Sequence, residues 1–209
     1  MRRYVIKRVT GREVCWDDIT KGDIDLYPWG EEYMPEAYFR AVYIPNDGIL
    51  VRLTCYESNP KAVYDNYMDP VYCDSCLEFF ADYSGEKASG FTCNAPGYIN
   101  CEINSKGTLL ACIGKDSDNR TPLLQAIGEL PAVTVYKDDK QWSVELYISF
   151  KLLKKLYKDT DFSQGHTFYG NVFKCGDECE HEHYGVWNYI ENNTPNFHIP
   201  GYFGEFCLG

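Results

Sequence analysis

Short runs of alternating apolar and polar residues, separated by turn residues, constrain the fold of this chain more than any other feature. Successive side chains of a β-strand point to opposite faces, so such runs predict half-buried strands. Residues 37–44 and 49–57 form one pair of runs, and Pro45-Asn46-Asp47-Gly48 between them ends in the Asp-Gly pair that favours tight hairpins. The pattern therefore predicts a β-hairpin at this place.

Further runs extend the pattern along the chain, and Gly107 supplies a turn between two of them. Ser149 followed by Leu152, Leu153 and Leu156 predicts one short helix over residues 149–157. About nine or ten strands in one chain predict an all-β, antiparallel two-sheet β-sandwich, formed as a single domain over residues 1–209. The remaining predicted strands are 71–83, 98–104, 108–113, 133–136, 141–149, 166–175 and 184–189, with long loops at 59–70 and 84–97.

Charge and composition exclude several function classes. The net charge of -11 disfavours nucleic acid and anionic membrane surfaces as partners. Met1-Arg2-Arg3 is not followed by the apolar stretch of a signal peptide, and no segment approaches the ~20 apolar residues of a membrane span, so we expect a cytoplasmic protein. The 18 Tyr, 11 Phe and 4 Trp exceed what one core needs, which indicates rings exposed for a sugar or a protein partner. The sequence gives no indication of the oligomeric state.

Alternation also assigns the side chains of four strands to two faces each. One face is apolar, while the other carries polar groups that include Glu78, Glu102, Asn104 and Arg52. In strand 71–83, Tyr72 shares the face of Glu78. Side by side, these polar faces would form a hollow suited to a sugar, whose hydroxyls pair with carboxylates and amides and whose C–H faces stack on rings. The alternative interpretation is the ordinary solvated face of an antiparallel sheet.

Four segments, in this order along nearly the whole chain, resemble carbohydrate-binding module family 9, and in particular its stand-alone bacterial relatives. The segments are Asp74-Ser75-Cys76-Leu77-Glu78-Phe79-Phe80, residues 98–104 (YINCEIN) with Gly107, Asn171-Val172-Phe173-Lys174-Cys175, and Trp187 with residues 195–204 (PNFHIPGYFG).

The resemblance implies a DOMON-like or immunoglobulin-like sandwich that holds a sugar end between two aromatic side chains. It places the binding acid on Glu78, the polar residue of the next strand on Glu102, and one aromatic clamp on Phe197, just before His198. Some family 9 modules bind calcium as a structural ion, which the resemblance allows without assigning ligands. No other cofactor is expected.

Two positions depart from the family pattern. The Trp expected as the other clamp is replaced by Val71-Tyr72, which makes Tyr72 its candidate replacement. The basic residue expected opposite the acid is absent at Glu102, and Lys174 or Arg52 are candidates to supply the charge. The predicted ligand-binding set is Tyr72, Glu78, Glu102, Asn104, Asn171, Lys174, Trp187, Phe197 and His198.

The function predicted from this set is non-catalytic binding of a sugar or oligosaccharide end of the xylan or cellulose type, linked to carbohydrate catabolism. A glycosidase needs two carboxyls roughly 5–9 Å apart, so a hydrolase that uses Glu78 and Glu102 is an alternative. Another alternative is a protein-interaction domain that has lost the sugar site.

The cysteines raise the question of disulfides and metals. A chain of this length buries a core without disulfides, so we expect its 10 cysteines to be reduced. Cys175, Cys179, His181 and His183 are zinc ligand types within nine residues, but they do not form two separated pairs of ligands. We therefore expect a charged hairpin loop and no metal there.

Overall fold

The computed structural model describes residues 1–86 and 96–209, so most of the loop predicted for 84–97 lies outside the described residues. Within these ranges the chain forms 13 strands and two short α-helices, α1 (Leu123–Ile127) and α2 (Phe150–Leu156). The strands are β1 (Arg3–Arg8), β2 (Gly22–Asp23), β3 (Ala37–Ile44), β4 (Gly48–Cys55), β5 (Cys76–Asp82), β6 (Tyr98–Asn104), β7 (Leu109–Gly114), β8 (Arg120–Pro122), β9 (Ala132–Lys137), β10 (Trp142–Ser149), β11 (Thr167–Cys175), β12 (Tyr184–Val186) and β13 (Gly204–Leu208).

The local predictions from turn chemistry are confirmed. β3 pairs with β4 and β6 with β7, each as an antiparallel hairpin, and β9 and β10 form a further hairpin that was not predicted. Gly107 takes a φ of +88°, which glycine adopts without a Cβ penalty. Ser149 caps α2 by accepting a hydrogen bond from the backbone N–H of Leu152 at 3.0 Å. The five-residue helix α1 was not predicted, because so short a segment shows no helical periodicity.

The sheet arrangement differs from the prediction of two antiparallel sheets. The hydrogen-bonded order is β8-β7-β6-β5-β11-β13-β1-β3-β4-β10-β9, with β12 against β11 and β2 against β3. β1 is parallel to both of its neighbours, so the sheet is mixed and runs continuously through β1. Alternation within a strand carries no information on the direction of its neighbours, which is why the sequence missed this. The DOMON-like and immunoglobulin-like assignments stay predictions.

The sheet curls so that its two halves share one apolar core, here called the central core. Val51 and Trp142 from the β3-β4-β10 half meet Leu77, Phe79 and Ile99 from the β5-β6-β11 half in this cluster. The central core takes the face that alternation predicted to be apolar in each strand. The opposite faces of the two halves therefore point away from each other, on opposite sides of the molecule.

A second apolar cluster covers the far face of the β5-β6-β11 half. We call it the pocket-side core, and it contains Phe80, Tyr98, Phe173, Phe197 and Phe203. The polar face of this half is thus largely buried, and not an ordinary solvated face, because the segments around 71 and 190–203 pack over it. These segments form the walls of the site described below.

One predicted strand begins five residues later than expected. Residues Val71–Cys73 form a single 3-10 turn, and β5 begins only at Cys76. The alternation that placed Tyr72 on the face of Glu78 therefore does not apply across this turn.

Among the described residues, none of the helices has the length and apolarity needed to cross a bilayer. The nine cysteines within the described ranges are all free, and Cys93 lies outside those ranges.

Candidate functional site

A pocket of about 230 Å³ opens on the side of β5, β6 and β11 that points away from the central core. Glu78, Glu102 and Cys175, one from each strand, are nearly fully buried and form its floor. The walls come from the 3-10 turn, from β8 and from the segments after β11 and β12. They consist of Tyr72, Arg120, Asp177, Tyr184, Pro195, Asn196, Phe197 and His198.

The two glutamates of the floor stand directly opposite each other in the β5–β6 register. The Cys175 thiol donates a hydrogen bond to Glu78 Oε1 at 3.0 Å, and Asn100 Nδ2 donates one to Glu102 Oε1 at 2.9 Å. Burial raises the pKa of Glu78 well above its usual value, and the nearby Glu102 raises it further. Burial also raises the pKa of Glu102, to about 7. At neutral pH the pair therefore carries less than two negative charges.

Arg120 supplies the basic charge beside these acids. Its Nη1 lies 3.5 Å from Glu102 Oε1, and the guanidinium opposes the rise in the Glu102 pKa. Arg120 reaches the pocket from β8, which pairs with β7 at the edge of the sheet. No sequence pattern predicts this role, because Arg120 follows a turn rich in surface polar residues. Only the pairing of β8 with β7 brings it to Glu102.

His198 fixes the position of Arg120. Arg120 Nη1 donates a hydrogen bond to His198 Nε2 at 3.2 Å, so the other ring nitrogen, Nδ1, carries the proton. Nδ1–H then donates to the Tyr98 hydroxyl oxygen at 2.7 Å. Burial, and next the Arg120 charge, lower the pKa of His198 to about 3. The imidazole is therefore neutral and serves as an acceptor that orients the guanidinium.

Two aromatic side chains border the acidic floor. Phe197 stacks on Phe173 with ring centroids 4.1 Å apart and planes within 6°. Tyr72 stands at the rim with 37% of its surface exposed. The backbone N–H of Asp177 donates to the Tyr72 carbonyl at 3.0 Å and holds the turn in place. Burial, followed by nearby acids, raises the pKa of Asp177 to about 6.

The sequence comparison agrees with this geometry. The family model described as carbohydrate-binding family 9 matches residues 13–208, which is nearly the whole chain. This chain belongs to carbohydrate-binding family 9. No curated protein matches it.

Solved structures resemble the fold of this family 9 chain. A putative carbohydrate-binding protein from Bacteroides uniformis ATCC 8492 aligns with a TM-score of 0.81 and 23% identity, over 100% of this chain and 99% of that one. A family 9 module from Caldicellulosiruptor kristjanssonii in complex with glucose aligns with a TM-score of 0.70 and 13% identity, over 100% of this chain and 96% of that one. A family 9 module from the same organism in complex with cellotriose aligns with a TM-score of 0.70 and 13% identity, over 99% of this chain and 93% of that one.

The structure brings five of the nine predicted ligand-binding residues of this family 9 chain to the pocket. They are Tyr72, Glu78, Glu102, Phe197 and His198. Their roles in binding stay predictions. The other four residues lie elsewhere, each for a reason visible in the strand register or the hydrogen bonds.

Lys174 lies on the wrong face of β11. It stands opposite Leu77 in the β5–β11 register and so points to the side of the central core, away from Cys175. Its ammonium donates to the Cys175 carbonyl at 2.9 Å and to His183 Nε2 at 2.6 Å, and it lies 3.9 Å from Glu57. This buried network, and not the pocket, holds the Lys174 charge.

Arg52 and Trp187 are also remote from the pocket. Arg52 lies in the other half of the sheet, where it pairs with Glu145 at 2.9 Å. Trp187 is buried in the central core against Phe39 and Phe206. The predicted aromatic stacking role of Trp187 therefore finds no support in its position.

Asn104 and Asn171 serve the fold. The Asn104 amide donates to Asp74 and to the Tyr64 carbonyl, and its oxygen accepts from two backbone N–H groups of the β6–β7 turn. Asn171 donates to the Asn188 carbonyl and accepts from the backbone of Val172 and Asn188. Both amides are fully buried, so a ligand would have to displace these bonds.

The four zinc ligand types near the end of β11 turn to different partners. Cys175 turns to Glu78 in the pocket floor. His183 accepts from Lys174 with one nitrogen and donates to the His181 carbonyl with the other, at 2.7 Å. The His181 ring stacks on Tyr33.

Proposed function

We propose that this family 9 protein binds the end of a glucose- or xylose-based oligosaccharide, without converting it, as part of carbohydrate catabolism. One observation carries the proposal: Glu78, Glu102 and Arg120 lie together in a pocket bordered by the rings of Tyr72 and Phe197. The family match and the glucose and cellotriose complexes of the Caldicellulosiruptor kristjanssonii module support the same ligand class.

The chemistry of the pocket suits a neutral polyol. Each sugar hydroxyl both donates and accepts, so it can donate to Glu78 or Glu102 and accept from Arg120. An anion would face the acids, and a simple cation would face Arg120. The ring of Tyr72 at the rim offers a flat apolar surface to the C–H face of a sugar.

The size of the pocket favours the end of a chain. Sites for drug-sized ligands span roughly 300–1,000 Å³, and this pocket measures about 230 Å³. One sugar ring fills such a space, and the rest of an oligosaccharide then extends past Tyr184 and Pro195 into solvent.

Calorimetric titration with glucose, xylose, cellotriose and xylotriose tests the proposal. Arg120→Gln should weaken binding at least about tenfold, because hydrogen bonds to a charged group contribute roughly 1.5–3 kcal/mol. Arg52→Gln is the matched control on the opposite side of the molecule, and it should bind as the parent does. Circular dichroism checks that both variants are folded.

Three outcomes would count against the proposal. Failure of the parent protein to bind any of the four sugars would reject sugar binding of this class. Equal weakening by both substitutions would place binding outside the pocket. Release of the aryl group from aryl glucosides or xylosides, lost in Glu78→Gln, would replace binding by hydrolysis with Glu78 and Glu102.

A further inference from the structure

The floor of the pocket contains a cluster that sugar binding does not explain. Cys76, Glu78 and Cys175 each offer one ligand atom, and these three atoms lie within 4.8 Å of one another. Cys76 and Cys175 stand directly opposite each other in the β5–β11 register. All three residues are buried, with at most 2% of their surface exposed. Two thiols and a carboxyl thus converge from two neighbouring strands on one point.

We propose that Cys76, Glu78 and Cys175 bind a thiophilic divalent cation, for which zinc is the best match. Cysteine sulfur and carboxylate oxygen are ligands that zinc selects in proteins, whereas calcium and magnesium take oxygen ligands almost exclusively. Two sulfurs among three ligands therefore favour zinc. The site also differs from the set Cys175, Cys179, His181 and His183, where no metal is expected from the sequence, since only Cys175 belongs to both.

The distances need only a small adjustment. Zinc binds sulfur at about 2.3 Å and oxygen at about 2.0–2.2 Å, so neighbouring ligand atoms of a tetrahedral site lie roughly 3.5–3.8 Å apart. Cys175 Sγ and Glu78 Oε1 are 3.0 Å apart, and no pair of the three atoms exceeds 4.8 Å. Side-chain shifts of about 1 Å or less would thus reach the metal geometry without moving the strands.

The ion has a route to the site and a free coordination position. Glu78 and Cys175 line the pocket, whereas Cys76 lies behind them. A cation entering through the pocket would meet its three ligands on the inner side and keep an open side toward the pocket. Three protein ligands plus one water or substrate oxygen is an arrangement that zinc adopts in proteins. A sugar hydroxyl in the pocket is therefore placed to complete the coordination.

Metal titration of the full chain tests the inference. The protein is treated with a chelator and a reducing agent, and is then titrated with Zn²⁺ in a calorimeter and with Co²⁺ in a spectrophotometer. We expect one ion per chain and a thiolate-to-cobalt absorption band. Cys76→Ser and Cys175→Ser should each weaken zinc binding at least about tenfold and reduce the band. Millimolar Ca²⁺ or Mg²⁺ should not compete.

Cys179→Ser is the matched control, because Cys179 lies beside His183 outside the pocket and should leave both signals unchanged. Absence of a thiolate band in the parent, or loss of binding in Cys179→Ser with retention in Cys76→Ser and Cys175→Ser, would overturn the inference. Circular dichroism of each variant excludes unfolding as the cause. The titration uses no sugar, so its failure would leave the proposed sugar binding untouched, and failure of sugar binding would leave the metal result intact.

Discussion

The polar faces of the two halves of the sheet follow the same alternating sequence pattern, but one pairs opposite charges across its strands and the other pairs like charges. In β4 and β10, Arg52 stands directly opposite Glu145, and the two side chains form an ion pair at 2.9 Å. In β5 and β6, Glu78 stands directly opposite Glu102. Opposite charges at such cross-strand positions stabilise a sheet, and like charges destabilise it.

The difference shows that the β4–β10 face serves stability, and it supports the proposal that the β5–β6 face binds sugar. Glu145 also accepts a hydrogen bond from the Trp16 indole N–H at 2.7 Å. The charged groups of the β4–β10 face are therefore paired with other groups of the protein. The β5–β6 face buries two neighbouring acids, and ionisation of one disfavours ionisation of the other. This arrangement costs folding free energy. Such a local violation of the stabilising rule is typical of functional sites. Four substitutions test this contrast between the two faces.

The largest effect is expected in the core that both faces share. Trp187→Ala should lower the free energy of unfolding by about 3–5 kcal/mol, because it removes a buried ring packed against Phe39 and Phe206. Urea denaturation measures the loss, and Trp187→Phe should retain most of the stability. If Trp187→Ala kept the parental stability but lost sugar binding, Trp187 would have to be assigned to the binding site and not to the core.

The next effect comes from giving the β4–β10 face the charge pattern of the pocket. Arg52→Glu replaces the attraction to Glu145 by a repulsion of similar size, so unfolding should require about 2 kcal/mol less. Arg52→Gln, which removes only the attraction, should cost about half as much. Added salt should narrow the gap between the two variants. Equal stabilities of both variants at low salt would show that cross-strand charge does not distinguish the faces.

The converse change removes one acid from the pocket face, and its effect depends on pH. The folded-state pKa of Glu102 is raised to about 7, so between about pH 4.5 and 7 the folded state binds more protons than the unfolded state. This group therefore lowers stability as pH rises through that window. Glu102→Gln should gain stability relative to the parent from pH 5 to pH 8, on the order of 1 kcal/mol. Urea denaturation of both proteins at pH 5 and pH 8 measures this gain. If the difference in free energy of unfolding between variant and parent were the same at both pH values, the raised pKa of Glu102 would be contradicted.

The smallest effect on folding is expected at the rim of the pocket. Tyr72 is 37% exposed, so Tyr72→Ala should change the free energy of unfolding by only about 0.5 kcal/mol while weakening sugar binding. Tyr136→Ala is the control on the opposite face, where Tyr136 lies over Arg52. It should leave sugar affinity unchanged. If the two variants bound sugar with similar affinity, Tyr72 would have no part in sugar binding.

Five of the nine residues predicted from the sequence lie at the pocket, and one of them, Tyr72, is there for a reason that the sequence did not indicate. Glu78 and Glu102 share a face because β5 and β6 are regular strands that pair directly with each other. Tyr72 reaches the same pocket through a 3-10 turn, which alternation did not foresee. Arg120 was missed because its role depends on β8 pairing with β7, a contact without a local sequence signal.

Local sequence is enough to predict which side chains share a face within each strand and where the hairpins turn, because both depend on neighbouring residues and on backbone conformation. Local sequence does not predict which half of the sheet each strand joins, that β1 lies parallel to its neighbours, or that Lys174 faces the central core. These choices depend on long-range packing of the two halves around one core. The same alternating pattern therefore produced a paired outer surface at Arg52 and Glu145 and a buried acidic pocket at Glu78 and Glu102.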